Sequence, residues 1–424
     1  MPWGAVVPRS RRLVAALVAA ALLLAGCGGS TDSGAPLRVQ VAGEPDEVNA
    51  FEAIAAAYEA TQPRVQIDVV SVPKKSDHLA RLSTAFAAGE PPDVFVVNYR
   101  EFAQFAARGA LEPVGPLLEE RGVQVGDYYR EPIAAFTYEG ALQCMPQNVS
   151  SLVVYTNLAA FADRGVALPQ PGWTLADLGK TAAALSGEGN FGVGFEPTLA
   201  RLAPFVWTLG GEVVDDQRSP TSLTLDSPEG LQAVEFLRGL VAAGSAPGEV
   251  EVAAQGLEDR FAAGSLAMLL SSRRETPGFR EVAGLDFDVA AFPIAVEPAT
   301  LLHSDAYCIS RGGDRIDAAA DFVAFATGTQ GQTLAALSGR SVPALKSVAD
   351  SPAFLSPGRP PASSQVFLDA ISTIRAFPSW PTWTEVEDLA EVSLQQVIWQ
   401  GAPAAETMAE LDAASQPILA RGAG

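Results

Sequence analysis

The first third of the chain alternates between two hydrophobic periods. Leu37, Val39 and Val41 alternate with polar neighbours, which is the period of a β-strand. Apolar residues three or four positions apart then predict a helix, and the strand–helix pattern occurs twice more. The predicted strands cover residues 37–41, 65–69 and 93–97, and the helices begin near residues 48, 79 and 102. Repeated strand–helix–strand units predict an α/β fold with a parallel sheet and helices on both faces.

The rest of the chain has a less regular pattern with longer helices. The predicted strands are 152–155, 268–270 and 307–310, and the predicted helices are 175–185, 231–240, 318–326 and 384–400. Thr174 is a plausible N-cap of the first of these helices. No repeat of fixed period is present. The length of 424 residues allows two to three domains.

Polar side chains follow each of the first three predicted strands. In parallel sheets ligands bind beyond the carboxyl ends of the strands, and here those ends are residues 43–46, 72–77 and 98–100. They carry Glu44, Asp46, Lys74, Lys75, Asn98, Tyr99 and Arg100. We therefore expect a binding site at this edge of the sheet.

The first 26 residues have the layout of a signal peptide. A basic segment with Arg9, Arg11 and Arg12 precedes an apolar run at residues 13–24. Twelve apolar residues are too few to span about 30 Å of hydrocarbon as a helix, and small residues follow, as at a cleavage site. We therefore expect the chain to be exported. The paired arginines also resemble a twin-arginine signal.

The end of this segment, Leu24-Ala25-Gly26-Cys27, resembles the bacterial lipobox. The resemblance implies a lipid on Cys27 that anchors an extracytoplasmic protein to the bacterial cell membrane. Residues 27–35 are rich in Gly and Ser and predict a flexible tether. An ordinary secretory signal that happens to contain a cysteine is the alternative.

Composition excludes some classes of function. The chain has 28 basic and 49 acidic residues, for a net charge of −21, so it lacks the basic surface that nucleic acid requires. Two His and three Cys are too few for a zinc finger or a multi-metal site. We expect no metal and no cofactor. His78 is predicted on the polar side of its helix and His303 has no ligand partner at metal-binding spacing.

Two cysteines remain after the leader. In an oxidising compartment Cys144 and Cys308 form one even pair, which favours a disulfide. Two buried free thiols are the alternative. The letters GEGNFG at residues 187–192 fit a dinucleotide-binding fingerprint, but a helix precedes them where a strand is required, so they predict a glycine turn.

A series of short segments occurs in a characteristic order over residues 37–420. The segments are 87–94 (AAGEPPDV), 109–113 (GALEP), 145–146 (MP), 153–157 (VVYTN), 173–174 (WT), 209–212 (LGGE), 263–268 (AGSLAM), 309–310 (IS), 319–322 (AADF) and 341–344 (SVPA). Together they resemble the family 1 extracellular solute-binding proteins, the carbohydrate-capturing subunits of ABC importers. Thr156, Cys144 and Cys308 depart from the pattern of that family.

The resemblance implies a class II periplasmic-binding-protein-like fold, in which crossing hinge strands join two α/β lobes and ligand binds between them. By analogy the N-terminal lobe covers residues 36–146 plus 304–348. The C-terminal lobe covers residues 147–303 plus 349–424. The analogy also places Cys144 and Cys308 on the two crossing strands, adjacent in space, where a bridge would restrain the hinge.

The resemblance and the polar edge together suggest ligand-binding residues. Sugars are bound by aromatic rings against their C–H faces and by planar polar groups on their hydroxyls. The candidates are Glu44, Asn98, Tyr99, Arg100, Gln147, Asn148, Tyr155, Trp207, Arg273, Ser304, Asp305, Trp380 and Trp383. No catalytic residue is predicted.

The implied function is capture of a sugar or oligosaccharide outside the membrane by a monomer that delivers it to the transmembrane subunits of an ABC permease. The first alternative ligand is a phosphorylated polyol such as glycerol 3-phosphate, because guanidinium groups suit phosphate. The arginines concerned are Arg273, Arg274, Arg340 and Arg375. From a different class, the alternatives are a secreted carbohydrate-active enzyme and an adhesion or sensor lipoprotein.

Overall fold

The computed structural model describes residues 1, 3, 4, 34–43 and 45–423. Contacts divide the chain into two units, residues 1–36 and 37–424, and the elements below all belong to the second unit. The predicted signal peptide apart from residues 1, 3 and 4, the predicted lipid site at Cys27 and the candidate Glu44 lie outside the described residues. Within the described part, no helix has both the length and the apolar composition needed to cross a bilayer.

Residues 37–146 confirm the predicted alternation of strands and helices. The strands are β1 (Leu37–Ala42), β2 (Ile67–Val72), β3 (Val94–Asn98), β4 (Leu111–Glu112), β5 (Thr137–Tyr138), β6 (Ala141–Leu142) and β7 (Cys144–Pro146). The helices are α1 (Pro45–Thr61), α2 (Lys75–Ala88), α3 (Tyr99–Ala106), α4 (Val114–Glu119) and α5 (Arg130–Ala135), with a 3-10 turn at Val125–Asp127.

The middle of the chain contains short strands between longer helices. The strands are β8 (Ser150–Ser151), β9 (Val153–Asn157), β10 (Met268–Ser271), β11 (Phe287–Ala290) and β12 (Thr300–His303). The helices are α6 (Leu158–Arg164), α7 (Leu175–Leu185), α8 (Leu199–Thr208), α9 (Pro228–Ala242), α10 (Glu249–Ala254), α11 (Leu257–Ala262) and α12 (Thr276–Glu281), with a 3-10 turn at Arg273–Glu275. Thr174 is confirmed as the N-cap of α7, since its hydroxyl accepts a hydrogen bond from the Asp177 amide.

The last part of the chain is mainly helical. Its strands are β13 (Asp305–Ser310) and β14 (Ile374–Arg375). Its helices are α13 (Ile316–Thr327), α14 (Thr329–Leu337), α15 (Lys346–Ala349), α16 (Pro352–Leu355), α17 (Gln365–Asp369), α18 (Trp383–Ile398) and α19 (Ala404–Arg421), with a 3-10 turn at Ala370–Thr373.

The first sheet has the strand order β2-β1-β3-β13-β4, and β7 also pairs with β13. β1 is parallel to both β2 and β3, as predicted, but β13 is antiparallel to β3, β4 and β7. The parallel pairing predicted from the first three strands is therefore confirmed, and β13 makes the sheet as a whole mixed. A strand from about 200 residues further along the chain inserts beside β3, and local periodicity carries no information on such a pairing.

Two smaller sheets contain the other strands that matter for the site. One is antiparallel with the order β10-β9-β11, and the other has the order β14-β12-β8. The chain leaves the first sheet after β7 and returns to it at β13. The two linking segments, residues 146–150 and 303–305, lie side by side because β7 pairs with β13 and β8 pairs with β12. We call them the crossing segments.

A disulfide bridge joins Cys144 to Cys308, which confirms the pairing favoured from the sequence. The two residues are register partners on β7 and β13, and both are fully buried. The bridge therefore lies inside the first sheet, next to the crossing segments, and fixes the spacing of the two strands that lead into them.

His78 is buried, and the prediction that it lies on the polar side of its helix is wrong. Its Nε2 lies 2.9 Å from the Val96 carbonyl oxygen and its Nδ1 lies 3.3 Å from the Gln40 amide nitrogen. Burial lowers its pKa, so the ring is neutral at pH 7. The polar partners are supplied by the sheet, which is why the helical pattern alone did not reveal them.

Asp412 on α19 makes the stability of the fold sensitive to pH. Its carboxyl is buried and accepts a hydrogen bond from the Asp226 amide at 2.9 Å, while its Oδ1 has no partner among the described residues. Burial raises its pKa to about 7. The pKa of Asp412 in the folded state is above its value in the unfolded chain. The protonated Asp412 carboxyl therefore stabilises the fold at low pH, and this stabilisation is lost as the pH rises towards 7.

We therefore expect Asp412→Asn to become more stable relative to the parent protein as the pH rises. The difference in the free energy of unfolding should change by about 2 kcal/mol between pH 5 and pH 7. Urea unfolding at each pH measures this difference, with the exposed-face substitution Glu410→Gln on the same helix as the control. A difference that is constant with pH would contradict the prediction.

Candidate functional site

Five candidate residues meet where the two crossing segments touch the first sheet. Asn98, Gln147, Asn148, Ser304 and Asp305 form what we call the crossing cluster. The Asn98 amide donates to Asp305 Oδ1 at 3.0 Å, and the Asp305 backbone amide donates to Asn148 Oδ1 at 2.7 Å. The Ser304 hydroxyl donates to the Asn148 carbonyl at 2.6 Å, and the Gln147 amide donates to the Asp305 carbonyl at 2.9 Å. The cluster therefore connects both crossing segments to the end of β3.

Asn98 also fixes the residues that follow it. Its side chain caps α3 by accepting from the Arg100 amide, and the same oxygen accepts from Arg100 Nε at 3.1 Å. Arg100 then reaches Glu387 on α18, with 2.5 Å between Nη1 and Oε1. The Tyr99 hydroxyl accepts from the Phe377 amide at 3.3 Å. The predicted residues Tyr99 and Arg100 thus join the edge of the first sheet to the last part of the chain.

Two cations near the crossing cluster, Lys75 and Arg274, remain accessible. Lys75 at the start of α2 contacts Glu101, and its side chain is 50% exposed. Arg274, in the turn after β10, pairs with Glu275 at 2.6 Å and is 55% exposed. Burial, followed by the charge of Arg100, lowers the pKa of Lys75 to about 8. Lys75 thus keeps half of its side chain accessible although burial and a neighbouring cation act on its charge.

The charge of Arg274 affects the pKa of three residues near the crossing cluster. It lowers the pKa of Lys75, and it opposes the effect of burial that raises the pKa of Glu47 to about 7. Burial lowers the pKa of Arg201 most, Glu196 raises it, and the charge of Arg274 lowers it further. Arg274 is therefore close enough to Lys75, Glu47 and Arg201 for its charge to act on all three.

The cations around the crossing cluster are paired with carboxylates. We call these residues the charged cluster; its ion pairs are Lys75–Glu101, Arg100–Glu387, Arg201–Glu196, Arg274–Glu275 and Arg340–Glu47. Such pairs present hydrogen-bond donors and acceptors side by side with little net charge. Within the described part of the chain, no group of three or more His, Cys, Asp or Glu side chains could hold a metal.

His303 lies at the end of β12, directly before the crossing cluster. Burial lowers its pKa well below the usual value, and the charges of Arg201, Arg100, Arg274 and Lys75 lower it further. Its ring is therefore neutral at pH 7, and its Nε2 has no hydrogen-bond partner among the described residues. A neutral imidazole can offer one donor and one acceptor to a polar ligand.

Trp207 and Trp383 pack together behind Tyr99. Each ring contacts Phe377, with centroid distances of 5.7 Å and 4.9 Å, and neither indole has exposed surface in this conformation. The Nε1 atoms of both indoles lack partners among the described residues. The guanidinium of Arg375 lies over the Trp207 ring at 5.0 Å. Through Phe377 these tryptophans connect to Tyr99, the residue that follows Asn98 of the crossing cluster.

Tyr155 and Trp380 lie outside the crossing cluster. Tyr155 is in the core of the β10-β9-β11 sheet, where its hydroxyl contacts the Ser272 carbonyl and Thr276 Oγ1. The Trp380 indole donates to the Leu419 carbonyl at 2.9 Å and packs on the last helix. The structure therefore gives both residues partners within the fold.

Arg273 turns inward where its neighbour Arg274 turns outward. Its side chain is fully buried and its Nε donates to the Gly339 carbonyl at 2.9 Å. From the sequence, Arg273 is a candidate ligand contact, and Arg274 is a candidate only for phosphate. The structure makes Arg274 the residue that is accessible beside the crossing cluster.

Several residues of the charged cluster were not selected from the sequence. Arg201 is the only charged residue in the apolar helix α8 (LARLAPFVWT), and that isolation was an available signal. Glu387 is one of several acids in α18, so its pairing with Arg100 across 287 positions depends on the tertiary fold.

Comparison with curated proteins gives relatives of low identity. A lipoprotein encoded in the oleD 5′ region of Streptomyces antibioticus, described as uncharacterized, is 31% identical over 199 residues, which is 45% of this chain and 44% of the relative. A putative binding protein of Brucella abortus is 25% identical over 251 residues, or 57% of this chain and 59% of the relative. The chain thus spans about half the length of the curated relatives it matches.

Solved structures match the fold over most of the chain. An ABC substrate-binding protein from Listeria monocytogenes in complex with cycloalternan has a TM-score of 0.84 and 21% identity, with 91% of this chain and 99% of that chain covered. UgpB from Mycobacterium tuberculosis in complex with glycerophosphocholine has a TM-score of 0.80 and 21% identity, with the same coverage. These similarities establish a periplasmic-binding-protein-like α/β fold. Residues 53–359 match the bacterial extracellular solute-binding protein family, and the chain belongs to that family.

Proposed function

We propose that this protein captures a neutral sugar or oligosaccharide in a cleft beside the crossing cluster and delivers it to an ABC permease. The observation that carries the proposal is the charged cluster, in which each cation is already paired with a carboxylate. A neutral ligand with many hydroxyls needs donors and acceptors in nearly equal numbers, and such pairs supply both.

The first contacts we assign to the ligand are polar groups in and around the crossing cluster. Arg100 and Asp305 are partly accessible, whereas Asn98, Gln147 and Asn148 are buried in this conformation, and Lys75, Arg274 and His303 are added from the structure. Tyr99 and Ser304 are fully buried and hold these groups in place. Trp207 and Trp383 support the site from behind in this conformation, and opening of the cleft would bring their rings to its surface.

The lobes we assign to this function are those expected from the family resemblance. The N-terminal lobe covers residues 36–146 plus 304–348, and the C-terminal lobe covers 147–303 plus 349–424. Membership of the sheets supports these boundaries, since β7 and β13 belong to the first sheet and β8 and β12 do not. Rotation about the crossing segments would then close the cleft on the ligand.

A phosphorylated polyol fits the site less well. Of the four arginines that suggested it, Arg274, Arg340 and Arg375 each contact a carboxylate, from Glu275, Glu47 and Glu212 respectively. Arg273 is buried away from the crossing cluster. A phosphate would have to displace one of these carboxylates, which costs the energy of the existing ion pair.

We further propose that the protein acts as a monomer, that lipid on Cys27 anchors it outside the cytoplasmic membrane and that it has no catalytic step. The family membership and the similarity to a relative described as a lipoprotein support this arrangement. The carbohydrate-active enzyme remains the contrasting proposal, and turnover of a glycan would favour it.

A calorimetric screen tests the proposed ligand class. We expect maltotriose or another neutral oligosaccharide to bind with one-to-one stoichiometry and without turnover, and glycerol 3-phosphate and glycerophosphocholine to bind more weakly. A ligand at 100 times its dissociation constant should also stabilise the fold by about 2.7 kcal/mol. Tighter binding of the phosphate compounds, or hydrolysis of the glycan, would contradict the proposal.

A further inference from the structure

Three arginines outside the charged cluster lie near Gly339, the residue that precedes Arg340 of that cluster. Arg273 Nε donates to the Gly339 carbonyl at 2.9 Å. Gly339 has a φ of +81°, and a Cβ placed on it would lie 2.6 Å from Arg280 Nη1, so the Arg280 guanidinium packs directly on this backbone. Arg359 is close enough for its charge to act on Arg280. We call Arg273, Arg280 and Arg359 the arginine cluster.

The arginine cluster has donors without acceptors. Arg273 also donates from Nη1 to Ser364 Oγ at 3.1 Å, and Arg280 donates from Nε to the Pro360 carbonyl at 2.6 Å. The Nη2 atoms of Arg273 and Arg280 are both buried, and neither has a partner among the described residues. The guanidinium of Arg273 lies 4.8 Å and 5.1 Å from the ring centroids of Phe354 and Phe367, which removes it from water.

No carboxylate neutralises these charges. Among the described residues, none of the three arginines forms an ion pair with an acid, whereas those of the charged cluster do. Burial, and then the charge of a neighbouring arginine, lowers the pKa of Arg280, and burial lowers the pKa of Arg273 to about 10. By contrast, carboxylates raise the pKa of Arg100 and Arg274 despite burial. Buried like charges with free donors are costly unless an anion joins them.

We propose that Arg273, Arg280 and Arg359 form a binding site for a small oxyanion of the phosphate type, separate from the cleft. The planar guanidinium fork matches two oxygens of such an anion, and the two free Nη2 atoms supply donors. Because Arg273 is fully buried, the site suits an inorganic ion, and the exposed Arg359 marks the side from which the ion enters.

Thermal unfolding in phosphate and in sodium chloride of equal ionic strength tests this site. We expect phosphate to raise the melting temperature of the parent protein above its value in chloride. Arg280→Gln keeps a donor but removes a charge, so it should lose most of this rise. In phosphate-free buffer it should melt at the same temperature as the parent protein or higher, because a buried like charge is gone.

Two further variants separate the possible outcomes. Arg359→Gln changes an exposed side chain, so it should fold and show a reduced phosphate response, and the remote Arg238→Gln should respond as the parent protein does. A purely structural role for Arg280 predicts equal destabilisation in both buffers, which would overturn the proposal. So would the absence of a phosphate-specific rise, or a rise that Arg274→Ala abolishes and Arg280→Gln retains, since phosphate would then occupy the cleft.

Discussion

Reduction of the Cys144–Cys308 bridge lowers the free energy of unfolding by about 2–5 kcal/mol. The two cysteines are 164 positions apart, so the bridge closes a loop that contains everything from β7 to β13. In the chain-entropy account, a link across so long a loop removes many conformations from the unfolded chain. Guanidinium unfolding of the same protein with and without reductant measures the effect and leaves the packing of both sulfurs in place.

The variant Cys144→Ala/Cys308→Ala is the companion measurement. It should lose slightly more stability than reduction does, because the missing sulfurs leave a cavity in a fully buried part of the first sheet. A loss of less than about 1 kcal/mol on reduction would mean that the link contributes little beyond native packing. Since the bridge lies within one sheet, we expect the ligand's dissociation constant to stay unchanged. A weaker affinity would show that the bridge also restrains the hinge.

The sequence predicts the positions of the strands near the site better than it predicts which other segments contact those strands. Leu37, Val39 and Val41 alternate with polar neighbours and so predict a strand, and β1 is found there with these three side chains buried. The polar residues after β3 are expected at a binding edge; Asn98 contacts Asp305 of a crossing segment, and Arg100 contacts Glu387 on α18. The strand prediction succeeds because strand periodicity is a local feature of the chain.

What the sequence did not predict is which distant residues contact each element and which way some side chains point. The pairing of β13 beside β3 joins residues about 200 positions apart, and no period in the sequence records it. His78 has polar partners that belong to other elements, Gln40 and the Val96 carbonyl. Arg273 and Arg274 are adjacent, so only the path of the turn after β10 decides which one faces the cleft.

Arg274→Ala weakens ligand binding by about 100-fold, which is about 2.8 kcal/mol. Arg274 is the cation of the charged cluster with the most exposed side chain, at 55%. Hydrogen bonds from a charged donor contribute about 1.5–3 kcal/mol each, and removal also leaves Glu275 without its partner. Isothermal calorimetry with the saccharide that binds most tightly in the screen measures the change.

The matched control is Arg238→Ala on α9. Arg238 pairs with Glu235 at 2.6 Å, the distance found between Arg274 and Glu275, but no residue of the charged cluster contacts it. Its loss should leave affinity unchanged, and both variants should melt close to the parent protein because exposed ion pairs contribute little to stability. Arg274→Lys keeps the charge without the planar fork, so it should restore only part of the affinity. Equal affinities for Arg274→Ala and Arg238→Ala would remove Arg274 from the site. The neutral-ligand proposal would then have to rest on Lys75 and Arg100 alone.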